Sequence, residues 1–181
     1  MGRGYQCEVN RDTRVSLVCL VFLFEGGEME DVIRIVTEFR KAIVRAKKEG
    51  RFRKDICFHK FPSGCCGDAS DLLAHHLLIN GIQTDYVCGN YYGNPEDGFQ
   101  SHAWLKLPDE TIIDITGDQF RYNAEFLNYN IPVYIGGIDD LHALFEVEER
   151  DIRKSVMLKG LGEFCYPRLK QLYDTIIEYI D

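Results

Sequence analysis

Residues 101–116 read SHAWLKLPDETIIDIT, and this stretch decides the fold class of the 181-residue chain. Two strand-like runs flank the turn signal Pro-Asp-Glu, which predicts an antiparallel hairpin. If the turn holds three residues, Leu107 pairs with Thr111. Side chains alternate between the two faces of a strand, so His102 and Asp114 become diagonal neighbours on one face. The sequence therefore predicts a hairpin on which a histidine and a carboxylate can form a hydrogen bond.

The periodicity of the remaining sequence predicts two helices before this hairpin, and a short helix and a C-terminal helix after it. Apolar residues recur at helical spacing, and Gly50 and Gly81 are good stop signals for the first two helices. The predicted helices cover residues 28–49, 64–80, 139–145 and 163–180. Further strands are expected at 82–88 and 132–135, and a loop with a possible role as a substrate-binding rim is expected at 89–100.

This order of elements predicts an α+β fold. We expect one domain over residues 1–181, with three parts in sequence. The predicted parts are a helical part at 1–81, a sheet part at 82–136 and a C-terminal helical part at 137–181.

Composition and charge narrow the class of partner and the compartment. The formal net charge is −8, which disfavours nucleic acid and anionic membrane as partners. The apolar run at 15–24 is too short to span a bilayer, and we interpret it as a buried strand or helix. The seven cysteines are odd in number and irregular in spacing, which predicts free thiols and a cytoplasmic location.

Two of those cysteines lie side by side at the predicted start of the second helix, in the stretch FPSGCCGDAS at residues 61–70. A helix N-terminus favours a thiolate, an imidazole can take the thiol proton, and a carboxylate can orient that imidazole. His102 and Asp114 supply both partners for thiol catalysis. Helical periodicity does not decide whether Cys65 or Cys66 is the nucleophile, because either one fits the apolar stripe.

The three blocks FPSGCCGDAS, SHAWL and IIDITGDQF resemble the signature of the transglutaminase-like superfamily of papain-fold thiol enzymes. The matching residues are Gly64, Cys66, Asp68 and Ser70, then His102, Ala103 and Trp104, then Asp114 and Thr116. The resemblance implies a papain-like fold in which the nucleophile helix packs on an antiparallel β-sheet. It also implies that Cys66 is the nucleophile, His102 the general base and acid, and Asp114 the residue that orients His102.

The activity implied by this resemblance is cysteine-dependent acyl transfer on an amide or peptide bond. A hydrolase (peptidase, amidase or deamidase) acting on a protein or peptide is our first expectation. Transfer to an amine acceptor, acetyl transfer, or a catalytically silent peptide-binding module are the alternatives. The implied reaction needs no cofactor and no metal.

Three further features of the sequence bear on this interpretation. Related enzymes place a second oxyanion donor upstream of the nucleophile, but residues 51–64 contain no Trp, Tyr or Gln. Asp68 carries a negative charge that opposes a thiolate if it faces the site. A zinc site built from Cys57, His59 and one of the paired cysteines is disfavoured, because the spacing matches no common zinc motif.

Overall fold

The computed structural model describes residues 16–17, 26–93 and 100–180. Within these ranges the helices and strands alternate with short 3₁₀ turns. The helices are α1 (Gly26–Lys48), α2 (Cys66–Ile79) and α3 (Tyr166–Ile177). The strands are β1 (Ser16–Leu17), β2 (Asp85–Tyr91), β3 (Gln100–Lys106), β4 (Ile112–Asp114), β5 (Tyr134–Gly136) and β6 (Ile152–Lys154). The α+β class is confirmed.

One sheet of six strands runs in the order β1-β5-β4-β3-β2-β6. β1 lies parallel to β5, and the other neighbours are antiparallel. In the hairpin β3–β4, Leu105 pairs with Ile113, and the Leu107 N–H donates to the Thr111 carbonyl at 2.8 Å. The predicted register, and with it the predicted three-residue turn, is therefore confirmed.

The first two helices end as their glycines predict. Gly50 adopts φ +75°, and the N–H of Arg51 donates back to the carbonyl of Ala46 at 3.0 Å. Gly81 adopts φ +81°, and the next N–H reaches back five residues in the same way. These left-handed caps satisfy helix carbonyls that would otherwise lack partners, and only glycine adopts that conformation without strain.

Several predicted elements differ from the observed ones. β2 begins at Asp85 and continues to Tyr91, three residues beyond its predicted end and inside the predicted loop. The predicted helix at 139–145 is only the 3₁₀ turn His142–Leu144, and α3 is shorter than 163–180 at both ends. β6 was missed, since it has three residues, two of them charged, and exists through its pairing with β2. The sheet thus reaches beyond residues 82–136.

Of the apolar run at 15–24, the structure describes Ser16–Leu17, and these two residues form a strand. The strand alternative holds for this pair, and the rest of the run lies outside the described residues. Within the described part of the chain, the helices are either too short or too polar to cross a membrane.

The two faces of the sheet carry different cores. All three helices pack on one face, where they bury Leu105, Ile113 and Ile135 of the central strands. The other face is covered by 3₁₀ turns and loops that pack an aromatic cluster around Trp104. The cluster consists of Trp104, Phe120, Phe126, Tyr134 and Phe145 with Val87, Ile112 and Leu141. The candidate site lies where α2 meets β3, at the border of both cores.

Candidate active site

Cys66 is the first residue of α2, directly after a left-handed turn at Gly64 with φ +70°. The first backbone hydrogen bond of this helix runs from the Ala69 N–H to the Cys65 carbonyl at 2.9 Å. The N–H groups of the preceding helical residues, Cys66 included, therefore have no partner within the helix. Cys66 thus combines a thiol with an available backbone donor at the positive end of a helix dipole.

The position of Cys66 relative to His102 is fixed by a contact between α2 and β3. Ser70 is buried one turn along the helix, and its hydroxyl donates to the Ala103 carbonyl at 3.2 Å. Ala103 follows His102 on β3, and its backbone helps to lower the pKa of Cys66. The Ser70 hydrogen bond ties α2 to β3, so it brings Cys66 to the strand that carries His102.

His102 and Asp114 form the hydrogen bond that the hairpin register predicts. The His102 Nε2 lies 2.8 Å from the Asp114 Oδ2, and both side chains are buried. A carboxylate can only accept here, so Nε2 carries the proton and Nδ1 is the nitrogen available to Cys66. His102 also interacts with Cys66, because it lowers the pKa of that thiol. Cys66, His102 and Asp114 are therefore coupled in the order that thiol catalysis requires.

The other oxygen of Asp114 is held by Thr116. The Thr116 N–H donates to Asp114 Oδ1 at 2.7 Å, and the Thr116 hydroxyl donates to the same oxygen at 3.1 Å. Two donors on Oδ1 fix the plane of the carboxylate, so Oδ2 stays directed at His102. The D-x-T spacing thus has a local physical reason: the threonine orients the carboxylate.

The pKa values of the pair shift in opposite directions. Burial raises the pKa of the Cys66 thiol, but the hydrogen bond and charge of His102 bring it below its ordinary value. Burial lowers the pKa of His102, while the charge and hydrogen bond of Asp114, together with Cys66, raise it to about 10. For Asp114, burial is outweighed by the charge of His102, and its pKa falls. Between the two shifted values a thiolate–imidazolium pair is the favoured state.

Cys65 has the opposite environment. It is 3% exposed, belongs to the core on the helical face of the sheet, and its sulfur contacts the Pro62 carbonyl at 3.4 Å. Burial first, and then the charge of Cys66, raise the pKa of the Cys65 thiol. Cys65 is therefore packed as a small buried residue.

The charge of Asp68 is balanced by a residue that the sequence did not single out. Arg168, from α3, donates to Asp68 Oδ2 at 2.7 Å and to both oxygens of Asp55 at 2.9 Å. These ion pairs join α3 to α2 and to the connection before α2. Asp68 therefore faces Arg168, and its negative charge is offset close to where it arises.

Gln119 is a site residue that the sequence analysis missed, although it lies inside the block IIDITGDQF. Its Nε2 lies 3.0 Å from the His102 Nδ1, and its Oε1 accepts from the Gly64 N–H at 3.4 Å. Gln119 thus connects the imidazole to the segment just before the nucleophile. Sequence alone offered no signal for this contact beyond the position of Gln119 five residues after Asp114.

His142 is a second missed residue, and it lies behind Asp114. Its Nε2 is 3.5 Å from Asp114 Oδ2 and its Nδ1 is 2.5 Å from Asp139 Oδ1, while Tyr129 donates to Asp139 at 2.6 Å. Burial lowers the pKa of His142, but its contacts with Asp114 and Asp139 raise it overall. A second histidine–carboxylate pair, His142 with Asp139, therefore lies next to the same Asp114 oxygen that His102 contacts.

The side chains of His102, Asp114 and His142 could instead bind a metal ion. The nearest ligand atoms of His102, Asp114 and His142 lie within 4.8 Å of one another. However, the 2.8 Å between His102 Nε2 and Asp114 Oδ2 is a hydrogen-bond distance, shorter than the roughly 3.3 Å that separates two ligands of tetrahedral zinc. Among the described residues, Cys57 and His59 belong to no group whose ligand atoms could hold a metal ion together. The arrangement fits a proton-sharing triad better than a metal centre.

The predicted rim at 89–100 is only partly described, because residues 94–99 lie outside the described ranges. Within the described part, Tyr91 donates to Glu125 at 2.9 Å and packs edge-on against Phe126. Tyr91 is therefore engaged in the aromatic cluster rather than standing free beside the triad.

Comparison with known proteins returned no match to a protein-family model, a curated protein or a solved structure.

Proposed function

We propose that the protein is a cysteine-dependent acyl-transfer enzyme that cleaves an amide or peptide-type bond, and that its fold is papain-like and transglutaminase-like. One observation carries this proposal: the buried His102 is hydrogen-bonded to Asp114 at 2.8 Å and also lowers the pKa of Cys66. A buried imidazole between a thiol and an oriented carboxylate is the arrangement that nucleophilic catalysis by cysteine needs.

In the proposed reaction the Cys66 thiolate attacks the carbonyl carbon of the substrate, and a sulfur–carbon bond forms. The electron pair of the carbonyl moves to its oxygen and returns when the leaving group departs. That leaving group takes the proton held on His102 Nδ1. An acyl-thioenzyme remains, and His102 then removes a proton from water, which attacks the thioester and restores the free thiol.

Hydrolysis is our first choice because water is always available as the acceptor. An amine acceptor would resolve the same thioester by transfer, so both outcomes share every step up to the acyl-enzyme. The expected substrate is a protein, a peptide or a small amide, and the proposed chemistry is supplied by side chains alone. A cytoplasmic location also remains our proposal, and it agrees with the five described cysteines being free.

The acyl-enzyme is the species to look for. The intact protein is incubated with a mixture of peptides or a lysate, quenched in acid and weighed by mass spectrometry, with Cys66→Ser and Cys65→Ser as matched controls. The proposal predicts an added acyl mass that Cys66→Ser abolishes, that Cys65→Ser retains, and that hydroxylamine removes as expected of a thioester. A protein that binds peptides without ever carrying such a mass on Cys66 is a silent binding module instead.

A further inference from the structure

We propose that the side-chain amide of Gln119 is the second donor of the oxyanion hole, acting together with the backbone N–H of Cys66. This role rests on the proposed acyl-transfer function, and it fills the place for which residues 51–64 offer no Trp, Tyr or Gln. The donor would then come from the chain after the triad carboxylate, rather than from upstream of the nucleophile.

The Gln119 amide lies beside the groups that react. Gln119 Nε2 lies 3.0 Å from His102 Nδ1, the nitrogen that serves Cys66, and Gln119 Oε1 accepts from the N–H of Gly64 at 3.4 Å. The amide therefore lies between the imidazole and the residues that immediately precede the nucleophile. A carbonyl attacked by Cys66 must develop its negative charge in this neighbourhood, beside the N–H of Cys66.

The turn that carries Gln119 is rigidly held. This matters because an oxyanion donor is effective only when it is held in place before the reaction. Gln119 belongs to the 3₁₀ turn Gly117–Phe120, whose neighbours on both sides of Gln119 are buried. Asp118 forms a buried ion pair at 2.8 Å with Arg40 of α1, and Arg40 also donates to the Ile115 carbonyl.

The remaining residues of the turn are equally constrained. Phe120 stacks on Phe126 with ring centroids 4.4 Å apart and meets the His102 ring edge-on at 5.2 Å. A Cβ at Gly117 would come within 2.9 Å of Asp114 Oδ2, so a side chain there would push the turn away from the triad. The turn is therefore locked against the triad, and Gln119 is its half-buried side chain that reaches the reacting groups.

The protonation state of His102 decides whether the Gln119 amide is available. Nδ1 of a neutral His102 can accept from the Gln119 N–H. In the thiolate–imidazolium pair, Nδ1 already holds the thiol proton and is itself a donor. The Gln119 N–H is then free before the thiolate attacks, and it can bind the carbonyl oxygen as that oxygen gains its negative charge. No other proton or electron is needed, because the donor only binds the oxyanion until the leaving group departs.

Two reagents separate this role from other roles of Gln119. Iodoacetamide alkylates a thiolate by displacing iodide and forms no oxyanion, whereas p-nitrophenyl acetate acylates it through a tetrahedral oxyanion. The variants are Gln119→Met, which keeps the length of the side chain without an N–H, and Gln119→Ala. Gln171→Ala on the exposed side of α3 is the matched control. Rates at Cys66 are measured by mass spectrometry for each protein with each reagent.

The proposal predicts that both Gln119 variants lower the acylation rate by about 10²-fold, the effect of losing one oxyanion-hole donor, while alkylation is unchanged. Equal acylation rates in wild type and in a folded Gln119→Met would overturn the role of Gln119 and leave the acyl-transfer function standing. Equal losses in both reactions would also overturn it, because Gln119 would then act on the thiolate or the imidazole. If wild type is alkylated at Cys66 but never acylated, the proposed function itself fails and this role fails with it.

Discussion

Cys65 and Cys66 are adjacent in the chain and carry the same thiol, yet their surroundings drive their pKa values in opposite directions. Both lie at the start of α2 and share its helix dipole, so the dipole cannot be the cause of the difference. Burial raises the pKa of both thiols, so it is not the cause either. What differs is the imidazole of His102, which reaches one sulfur and not the other. The partner of each thiol, rather than its position on the helix, therefore sets the direction of its pKa shift.

The largest expected effect comes from removing one thiol of the pair at a time. Cys66→Ser should abolish acyl transfer, because a serine hydroxyl next to this histidine is a far weaker nucleophile than a thiolate. Cys65→Ser should leave acyl transfer intact, and its effect should appear in stability because a polar group replaces a buried sulfur. Turnover of an ester substrate and thermal unfolding of both variants are the measurements. Loss of turnover in both variants would mean that the two thiols do not have separate roles.

The next effect concerns the partner that distinguishes the two thiols. His102→Ala should reduce acyl transfer by roughly 10²–10⁴-fold, the range for loss of a positioned general base and acid. Without the imidazole, burial is the largest remaining influence on Cys66, so its pKa should rise and its alkylation at neutral pH should slow. In this variant the two cysteines should react at similar, slow rates with iodoacetamide. Cys66 retaining its advantage over Cys65 would show that His102 is not the source of the difference.

The pH dependence of the wild type gives a third test with a defined sign. The pKa of His102 is raised to about 10, so the imidazolium persists through neutral pH and is lost as the pH rises through that value. Acyl transfer to a poor leaving group should therefore fall above pH 10, because His102 can no longer supply a proton. Alkylation of Cys66 should stay fast over the same range, since the thiolate remains. A parallel fall in both reactions would instead indicate unfolding.

A smaller effect is expected at Thr116, which acts on the triad only through Asp114. Thr116→Val removes the 3.1 Å hydroxyl contact but keeps the 2.7 Å backbone contact to Asp114 Oδ1. One neutral hydrogen bond is worth about 1 kcal/mol, which corresponds to roughly a fivefold lower rate. The rate of ester turnover measures this effect, and Thr175→Val on α3 is the control for the same change at a partly exposed position away from the triad. A loss as large as that of His102→Ala would mean that the whole hairpin end has moved.

The sequence could predict the hairpin because its information is local. Two alternating runs and a three-residue turn set the register, and the register alone brought His102 and Asp114 to one face. The same is true of the helix ends at Gly50 and Gly81, where a single residue type decides the cap. The assignment of Cys66 rather than Cys65 came from family resemblance, since periodicity could not separate the two.

The residues that the sequence did not reveal depend on contacts between distant parts of the chain. Gln119 reaches the site because Arg40, far upstream on α1, holds the turn at Asp118. Arg168 offsets Asp68 across 100 residues, and β6 forms only against β2. Local sequence patterns assign each such residue to a surface or a loop, because a short stretch of sequence does not show which distant residue will be its partner in the folded chain.

Cys66 alone of the adjacent pair should exist as a thiolate stabilised by His102. A titration of the thiolate ultraviolet absorbance tests this directly, taken as the difference between wild type and Cys66→Ser. We expect this difference to titrate below the ordinary thiol pKa of about 8.5, and to move upward in His102→Ala. A Cys66 thiol that titrates at or above that value in the folded wild type would show that His102 does not hold it as a thiolate.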